Sequence, residues 1–401
     1  MKDSKYINGD PQLGINYNWK LIRKEFKKLK IPIDVYNPCN SCPFELAKYF
    51  VINSERDVGK TTNFLLLGMI MNKLYGSQIQ YVRQIESMIM PKALRNLFST
   101  IVIHKYIEII TDGVYNTVYY HGRRYYYAVA DENGQITEIA PEHFMFCCSI
   151  DKAIDLKSGY NTPVGDLIIF DEFIGKCYYA NEFVSFEDLC KTIIRGRRSP
   201  IIVMLANTIN VHSQYYNELE IYDTITTMHP GDKTIVKTDL GTTIYIELIG
   251  VIEQKKLKRN IVNELFFGFK NPLLGSITGN SEWSFKSYQH IPEYAKGEEP
   301  ETLSRRIYIY HNNKYVRLDM MYHKDLGLCC YLHWATRTYN DSIILTTDNR
   351  YDNRYHYKLG NKKTEKLIKL LFNENRMYYQ TNDIGSFVEN YITNICGVTI
   401  C

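Results

Sequence analysis

The chain has 401 residues, 45% hydrophobic and 23% charged, with a formal net charge of +4 at pH 7; that is enough for two or three domains with their own cores. No apolar run reaches the length of a bilayer span, and the start, MKDSKYINGDPQ, does not resemble a secretory signal, so cytosolic residence is the expectation. The mild positive charge permits a nucleic-acid partner without implying a static, heavily charged surface for one.

In chain order, residues 1–35 read as an N-terminal extension. It holds one basic helix, NWKLIRKEFKKLK, whose Trp19, Ile22, Phe26 and Leu29 recur at helical spacing while lysines fill the other face. Residues 36–220 then alternate as α/β proteins do. KYFVINS is a strand, residues 54–59 a loop, and KTTNFLLLGMIMNKLYG a helix ending at Gly76. QIQYVRQ is a second strand, and ALRNLFSTIVIHKYIE a helix running into an extended segment. NTVYYHGRRYYYAVADENGQITEIA reads as a hairpin turning at DENG, and HFMFCCSI as a separate strand. GDLIIFDEF is an apolar strand ending in two carboxylates, FEDLCKTIIRG a helix, and PIIVMLANT a further buried strand. Apolar strands alternating with helices predict a mostly parallel sheet covered on both faces. Residues 221–300 read as a connector with a small hairpin, and 301–401 as a smaller second α/β domain.

The ten cysteines fit reduced thiols better than metal or disulfides. Cys147–Cys148 and Cys329–Cys330 sit in apolar runs, and Cys39 and Cys42 form a C-x-x-C without the second pair that a zinc site needs. The 34 tyrosines are read chiefly as strand formers.

Four stretches carry chemistry. SERDVGKT ends as a phosphate-binding loop ends, with Ser54 where the usual pattern has its first glycine. Backbone amides of such a loop, opening a helix, wrap the phosphates of ATP. Ser54, Arg56, Gly59, Lys60, Thr61 and Thr62 are the candidate nucleotide contacts; Lys60 meets the β- and γ-phosphates and Thr61 ligates Mg²⁺. LIIFDEF supplies Asp171 to hold Mg²⁺ and Glu172 to polarise the attacking water. MLANT places the Asn207 amide beside the γ-phosphate. RGRRSP offers Arg195, Arg197 and Arg198, which either reach a neighbouring subunit's nucleotide or face DNA phosphates or solvent; Arg195 is the preferred trans finger. Arg83 ends the second strand at the ligand edge, where it is either a site residue or one half of a structural ion pair.

These blocks together, ERDVGKT, IQYVR, HGRRYYY, IIFDEFI, IIRGR and MLAN, with VYNP ahead of the loop, resemble the DNA-packaging ATPase of small tailed phages of the phi-twenty-nine type over residues 36–220. A weaker resemblance runs through IYIYHNNKYVRLDMMYHKDLGLCCYL and IILTTD. The resemblance implies an additional-strand, catalytic-glutamate P-loop ATPase working as a homopentameric ring at the portal vertex of a procapsid, in the host cytoplasm. Its implied partners are double-stranded DNA, the portal (connector) protein and, in the best-known members, a structural packaging RNA. It assigns Lys60 and Thr61 to phosphate and metal, Asp171 to metal, Glu172 to catalysis and Arg195 to the trans role, with Lys157 a looser match to another trans-acting base. It also implies a ribonuclease H-like C-terminal domain. Asp319, Asp325, Asp341 and Asp348 make no two-metal set there, so the nuclease site is expected to be lost. The candidate DNA-facing groups are Arg123 and Arg124 in the hairpin and Lys255, Lys256, Lys258 and Arg259 in the connector. The alternatives are a DNA-dependent ATPase or helicase outside packaging, a structural protein with a degenerate nucleotide site, and a terminase with an active nuclease.

Overall fold

The computed structural model describes residues 5–7, 10, 13–33, 35–54, 58–153, 165–174, 182–195, 199–207, 213–250, 288–289, 307–311, 314–323, 327–339, 342–346 and 362–396. The chain forms two compact units, one of residues 1–175, 181–209 and 219–281, the other of residues 176–180, 210–218 and 282–401.

The first unit is built on a nine-stranded sheet. Its strands are β1 (Tyr49–Asn53), β2 (Ile79–Arg83), β3 (Thr117–His121), β4 (Arg124–Ala130), β5 (Ile136–Ser149), β6 (Leu167–Asp171), β7 (Ile201–Ala206), β8 (Lys233–Lys237) and β9 (Thr243–Leu248). They lie in the order β3-β4-β5-β2-β6-β7-β1-β9-β8. The six central strands, β5 to β9 in that order, are all parallel, and only the two edges are antiparallel. LIIFD and IIVMLA are buried at every position, as strands covered on both faces must be. The longer helices of this unit are α1 (Trp19–Lys27), α2 (Lys60–Tyr75) and α3 (Glu182–Ile194). A strand is inserted between the loop-bearing β1 and the acidic β6, as expected of an additional-strand ATPase: β7 pairs with both.

Four expectations are corrected. Residues 1–35 are not a mere extension, because Trp19, Ile22 and Phe26 of α1 join the core cluster of α2 and Trp19 stacks on Phe44 at 4.4 Å. The 221–300 connector does not begin at 221: β9 runs parallel to β1 and β8 completes the edge. Its alternating KTIVK has the pattern of an exposed edge strand guarded by lysines. The expected hairpin does turn at DENG, between the antiparallel β4 and β5, but a second hairpin precedes it, turning at Gly122-Arg123, both at positive φ (56° and 65°), the signature of a type I′ turn. HFMFCCSI is not a separate strand, because β5 runs unbroken from the second arm of the DENG hairpin through it. The expected ALRNLFSTIVIHKYIE helix is three short ones, Pro91–Leu94, Ser99–Ile103 and Tyr106–Ile110, the last two divided by Lys105 at φ 57°.

The second unit holds a five-stranded sheet of β10 (Ile307–His311), β11 (Lys314–His323), β12 (Gly327–Ala335), β13 (Ile343–Thr346) and β14 (Met377–Tyr379), in the order β13-β10-β11-β12-β14. An antiparallel meander, β10 to β12, is flanked by a parallel strand on each side. Helices α4 (Lys362–Asn373) and α5 (Asn382–Cys396) share the core of one face, where Trp334 meets Phe387 edge-on. Asp319 is held by Arg317 at 2.8 Å and His333 at 2.9 Å. Asp325, Asp341 and Asp348 lie outside the described residues, and among the described residues no cluster of metal-binding side chains forms.

Cys39, Cys42, Cys147, Cys148, Cys190, Cys329 and Cys330 are buried free thiols. Burial pushes Cys39 and Cys148 up to about 12, which makes them inert core groups.

Candidate active site

Three adjacent parallel strands, β1, β7 and β6, end side by side, and the predicted residues sit on those ends. Ser54 follows β1, Asn207 follows β7, and β6 ends in Asp171 with Glu172 next. This carboxyl edge is where parallel α/β sheets take ligands. Because β7 lies between β1 and β6, the Asn207 amide stands between the loop and the acids.

The loop is closed by Gly59 at φ +82°, a left-handed conformation that precedes α2 directly. A Cβ at Gly59 would stand 2.5 Å from Val35 Cγ1, so the close approach of the chain ahead of β1 also demands glycine. That approach is fixed by the Tyr36 amide, which donates to the Val58 carbonyl at 2.9 Å, and by Asn63 Nδ2, which donates to the Tyr36 carbonyl at 2.7 Å.

Lys60 is buried, and its Nζ donates to Ser54 Oγ at 2.6 Å and to Asn207 Oδ1 at 2.7 Å. Ser54 is thus a hydroxyl acceptor that holds the lysine across the loop, a role no glycine could take. Thr61 Oγ1 donates to Asp171 Oδ1 at 3.0 Å, and Thr62 follows half-buried in the first turn of α2. Arg56 lies outside the described residues.

Asp171 is buried and its other oxygen accepts from Tyr81 OH at 2.7 Å and from Arg83 at 3.5 Å. Burial raises its carboxyl above the usual range, and Arg83, Tyr81 and Thr61 only partly offset this. Glu172 has φ +53°, a conformation non-glycine residues rarely hold. Arg83 forms an ion pair with its Oε2, and Asn207 Nδ2 lies 3.4 Å from its Oε1. Arg83 is therefore an ion-pair partner, as one sequence reading had it, but its partners are the two acids of the site. Tyr81 and Gln84 were missed. Tyr81 shares a face with Arg83 two residues on, but only the pairing of β2 with β6 brings that face to Asp171.

Gln84 Nε2 donates to the Phe173 carbonyl at 3.3 Å and to Glu182 Oε1 at 2.9 Å. Glu182 is fully buried and opens α3. One side chain thus binds the residue after Glu172 to the helix that leads to Arg195. The far end of α3 is held where β6 begins, by the Gly165 amide donating to the Ile193 carbonyl. A 13-residue helix is about 20 Å long, so Arg195 stands near the start of β6, at the opposite end of that strand from Glu172. It is exposed, at φ 49°, with Nε donating to the Thr192 carbonyl at 3.3 Å. Arg197, Arg198 and Lys157 lie outside the described residues.

Of the DNA-facing candidates, Arg123 forms an ion pair with Glu86, and Arg124 lies over the Phe146 ring at 5.4 Å. Lys255, Lys256, Lys258 and Arg259 lie outside the described residues.

No protein-family model and no curated protein matches the sequence. Among solved structures, the Phi-28 gp11 DNA packaging motor matches with a TM-score of 0.51 at 15% identity, over 91% of this chain and 98% of that one. The chain has the fold of that packaging motor. The bacteriophage Phi-29 viral genome packaging motor assembly scores 0.47 at 17% identity, over 88% of this chain and 97% of that one. The fold assignment rests on the first of these.

Proposed function

We propose that this protein is a genome-packaging ATPase that hydrolyses ATP to drive double-stranded DNA into a viral procapsid, as a homopentameric ring at the portal vertex. The observation that carries the reading is the meeting of Ser54, Asn207, Asp171 and Glu172 at three adjacent strand ends with Lys60 of α2, on a packaging-motor fold. The residues fit Mg²⁺: a hydroxyl and a carboxylate already face each other at 3.0 Å, and both are the hard oxygen ligands that ion takes. Thr61 and Asp171 would hold it, and when bound it supplies positive charge against the phosphate oxygens.

The chain's own groups do the rest. The loop amides and the N-terminus of α2 bind the phosphates, and Lys60 exchanges Ser54 and Asn207 for phosphate oxygens. The Asn207 amide, freed from Lys60, orients the γ-phosphate side. Glu172 takes the proton of the attacking water at a carboxylate oxygen, but only after it leaves Arg83. The ion pair is thus a latch that keeps the site idle. Arg195, too far from its own Glu172, serves the neighbour's site and stabilises transition-state charge there. This reading gives the C-terminal unit no nuclease role, and the pairing of Asp319 with Arg317 and His333 supports it. A structural RNA remains a candidate partner from the resemblance alone.

Steady-state ATP hydrolysis with and without linear duplex DNA tests this reading. The wild type is expected to hydrolyse ATP faster with DNA, and Glu172→Gln to bind nucleotide but turn it over at least 100-fold more slowly, about 2.7 kcal/mol of barrier. Wild-type turnover by Glu172→Gln would remove the catalytic assignment.

A further inference from the structure

The positive charge of this protein is concentrated on one helix and its exit. Residues 19–30 hold five lysines, one arginine and one glutamate, a net +5, whereas the whole chain is +4. The rest of the chain therefore sums to −1, so the basic balance belongs to this segment.

The segment cannot turn its charges inward. Trp19, Ile22, Phe26 and Leu29 are buried in the core, and Asn18 caps α1 by accepting from the Leu21 amide at 3.1 Å. Lys20, Lys24, Lys27, Lys28 and Lys30 are left exposed. Lys20 and Lys24, and Lys24 and Lys28, are one helical turn apart, so each pair repels. The fold does little to relieve this. Glu25 serves Lys28 at 2.7 Å, Glu45 serves Arg23, and Asp112 serves Lys73 at 2.8 Å. Among the described residues, Lys20, Lys24 and Lys27 have no carboxylate within 4.0 Å.

We propose that the lysine face of α1 is a docking surface for the phosphate backbone of double-stranded DNA, held without reading its sequence. The proposal rests on the reading that this chain handles duplex DNA, and adds the surface that grips it. The outward face offers Lys20, Leu21, Lys24, Lys27 and Lys28. Lysines are flexible point charges, suited to a backbone that must slide, whereas arginine forks fix a register. Base readout needs bidentate groups in a groove. RNA recognition draws on 2′-hydroxyl contacts and stacking, and this face has no aromatic, hydroxyl or amide side chain to supply them. From Lys20 to Lys27 is about 10 Å along the axis, matching roughly three phosphates of one strand at about 3.4 Å each.

The test is binding of the full chain to a labelled 40-base-pair DNA duplex between about 50 and 200 mM salt, with ADP present. Three phosphate contacts contribute about 2.7 to the log–log salt slope. Wild-type affinity should therefore fall about 40-fold more over that range than the affinity of the Lys20→Gln, Lys24→Gln, Lys27→Gln triple variant. The DNA-independent ATPase rate of the triple variant should be unchanged, since none of the three lysines lies in the site. Lys92→Gln, Lys105→Gln, Lys237→Gln makes the same charge change at exposed positions elsewhere, and should keep the wild-type slope. The proposal is overturned if the α1 variant keeps the wild-type slope, if the control loses as much, or if an RNA duplex of equal length depends on the α1 lysines more than DNA does. A wild type that binds no duplex DNA at low salt overturns the packaging reading itself, whatever the variants do.

Discussion

Replacing Arg83 by glutamine separates the two jobs that its position gives it. Arg83 is 15% exposed and pairs with both Asp171 and Glu172. Breaking a buried ion pair costs about 3–5 kcal/mol, and the low end applies because Glu172 is 41% exposed and partly screened. A loss of about 3 kcal/mol lowers the melting temperature of a domain this size by about 6–12 °C. Catalysis should move the other way. A charge-assisted hydrogen bond is worth about 1.5–3 kcal/mol net, and the left-handed backbone of Glu172 opposes it by about 1 kcal/mol. A net latch of about 0.5–2 kcal/mol keeps Glu172 off the water in all but a minority of molecules. Arg83→Gln should therefore raise DNA-independent ATP hydrolysis by about 2- to 30-fold, at 1.4 kcal/mol per factor of ten, and shrink the further stimulation by DNA. Coupled-enzyme kinetics and scanning fluorimetry on the same preparations measure both effects. If Arg83→Gln lost hydrolysis as deeply as Glu172→Gln in both conditions, Arg83 would be part of the catalytic machinery and the latch would be wrong.

Asp171→Asn should stabilise the nucleotide-free protein at pH 7.5. Burial raises the folded carboxyl above its ordinary value, so the unfolded chain ionises it first, and stability falls as pH climbs from the ordinary carboxylate value through the raised one. The melting-temperature advantage of Asn should shrink toward pH 4, and an Asn variant less stable than the wild type at every pH would contradict the assignment of burial as the dominant cause. Gln84→Leu cuts the tie between Phe173 and Glu182. It should lower kcat several-fold with nucleotide affinity unchanged, and should add nothing in an Arg195→Ala background; independent, multiplying losses would show that Gln84 does not act through α3.

The candidate phosphate loop, the acids of β6 and the amide after β7 were legible as strand-end residues because each follows a continuous apolar run, and a strand buried on both faces writes itself that way. Ser54 was legible as a departure but not as a lysine acceptor, since that role depends on where Lys60 Nζ comes to rest. Tyr81, Gln84 and the partners of Arg83 were out of reach for a different reason. Strand order is not written in any single strand, and only the pairing of β2 with β6 turns YVRQ toward the acids. The two boundary corrections share a cause. The pattern of α1 is the same for a free surface helix and for one docked on its own core, and the alternation of β8 resembles a solvent hairpin because it is an edge strand.

The central claim is that ATP hydrolysis at this site moves duplex DNA. The most direct measurement is protection of linear double-stranded DNA from nuclease after incubation with this protein, ATP and the cognate portal-bearing procapsids. The account predicts full-length protected DNA with the wild type, none with Glu172→Gln, and none without ATP. Protection that survives in Glu172→Gln, or its absence from wild-type mixtures that hydrolyse ATP in a DNA-dependent way, would contradict it.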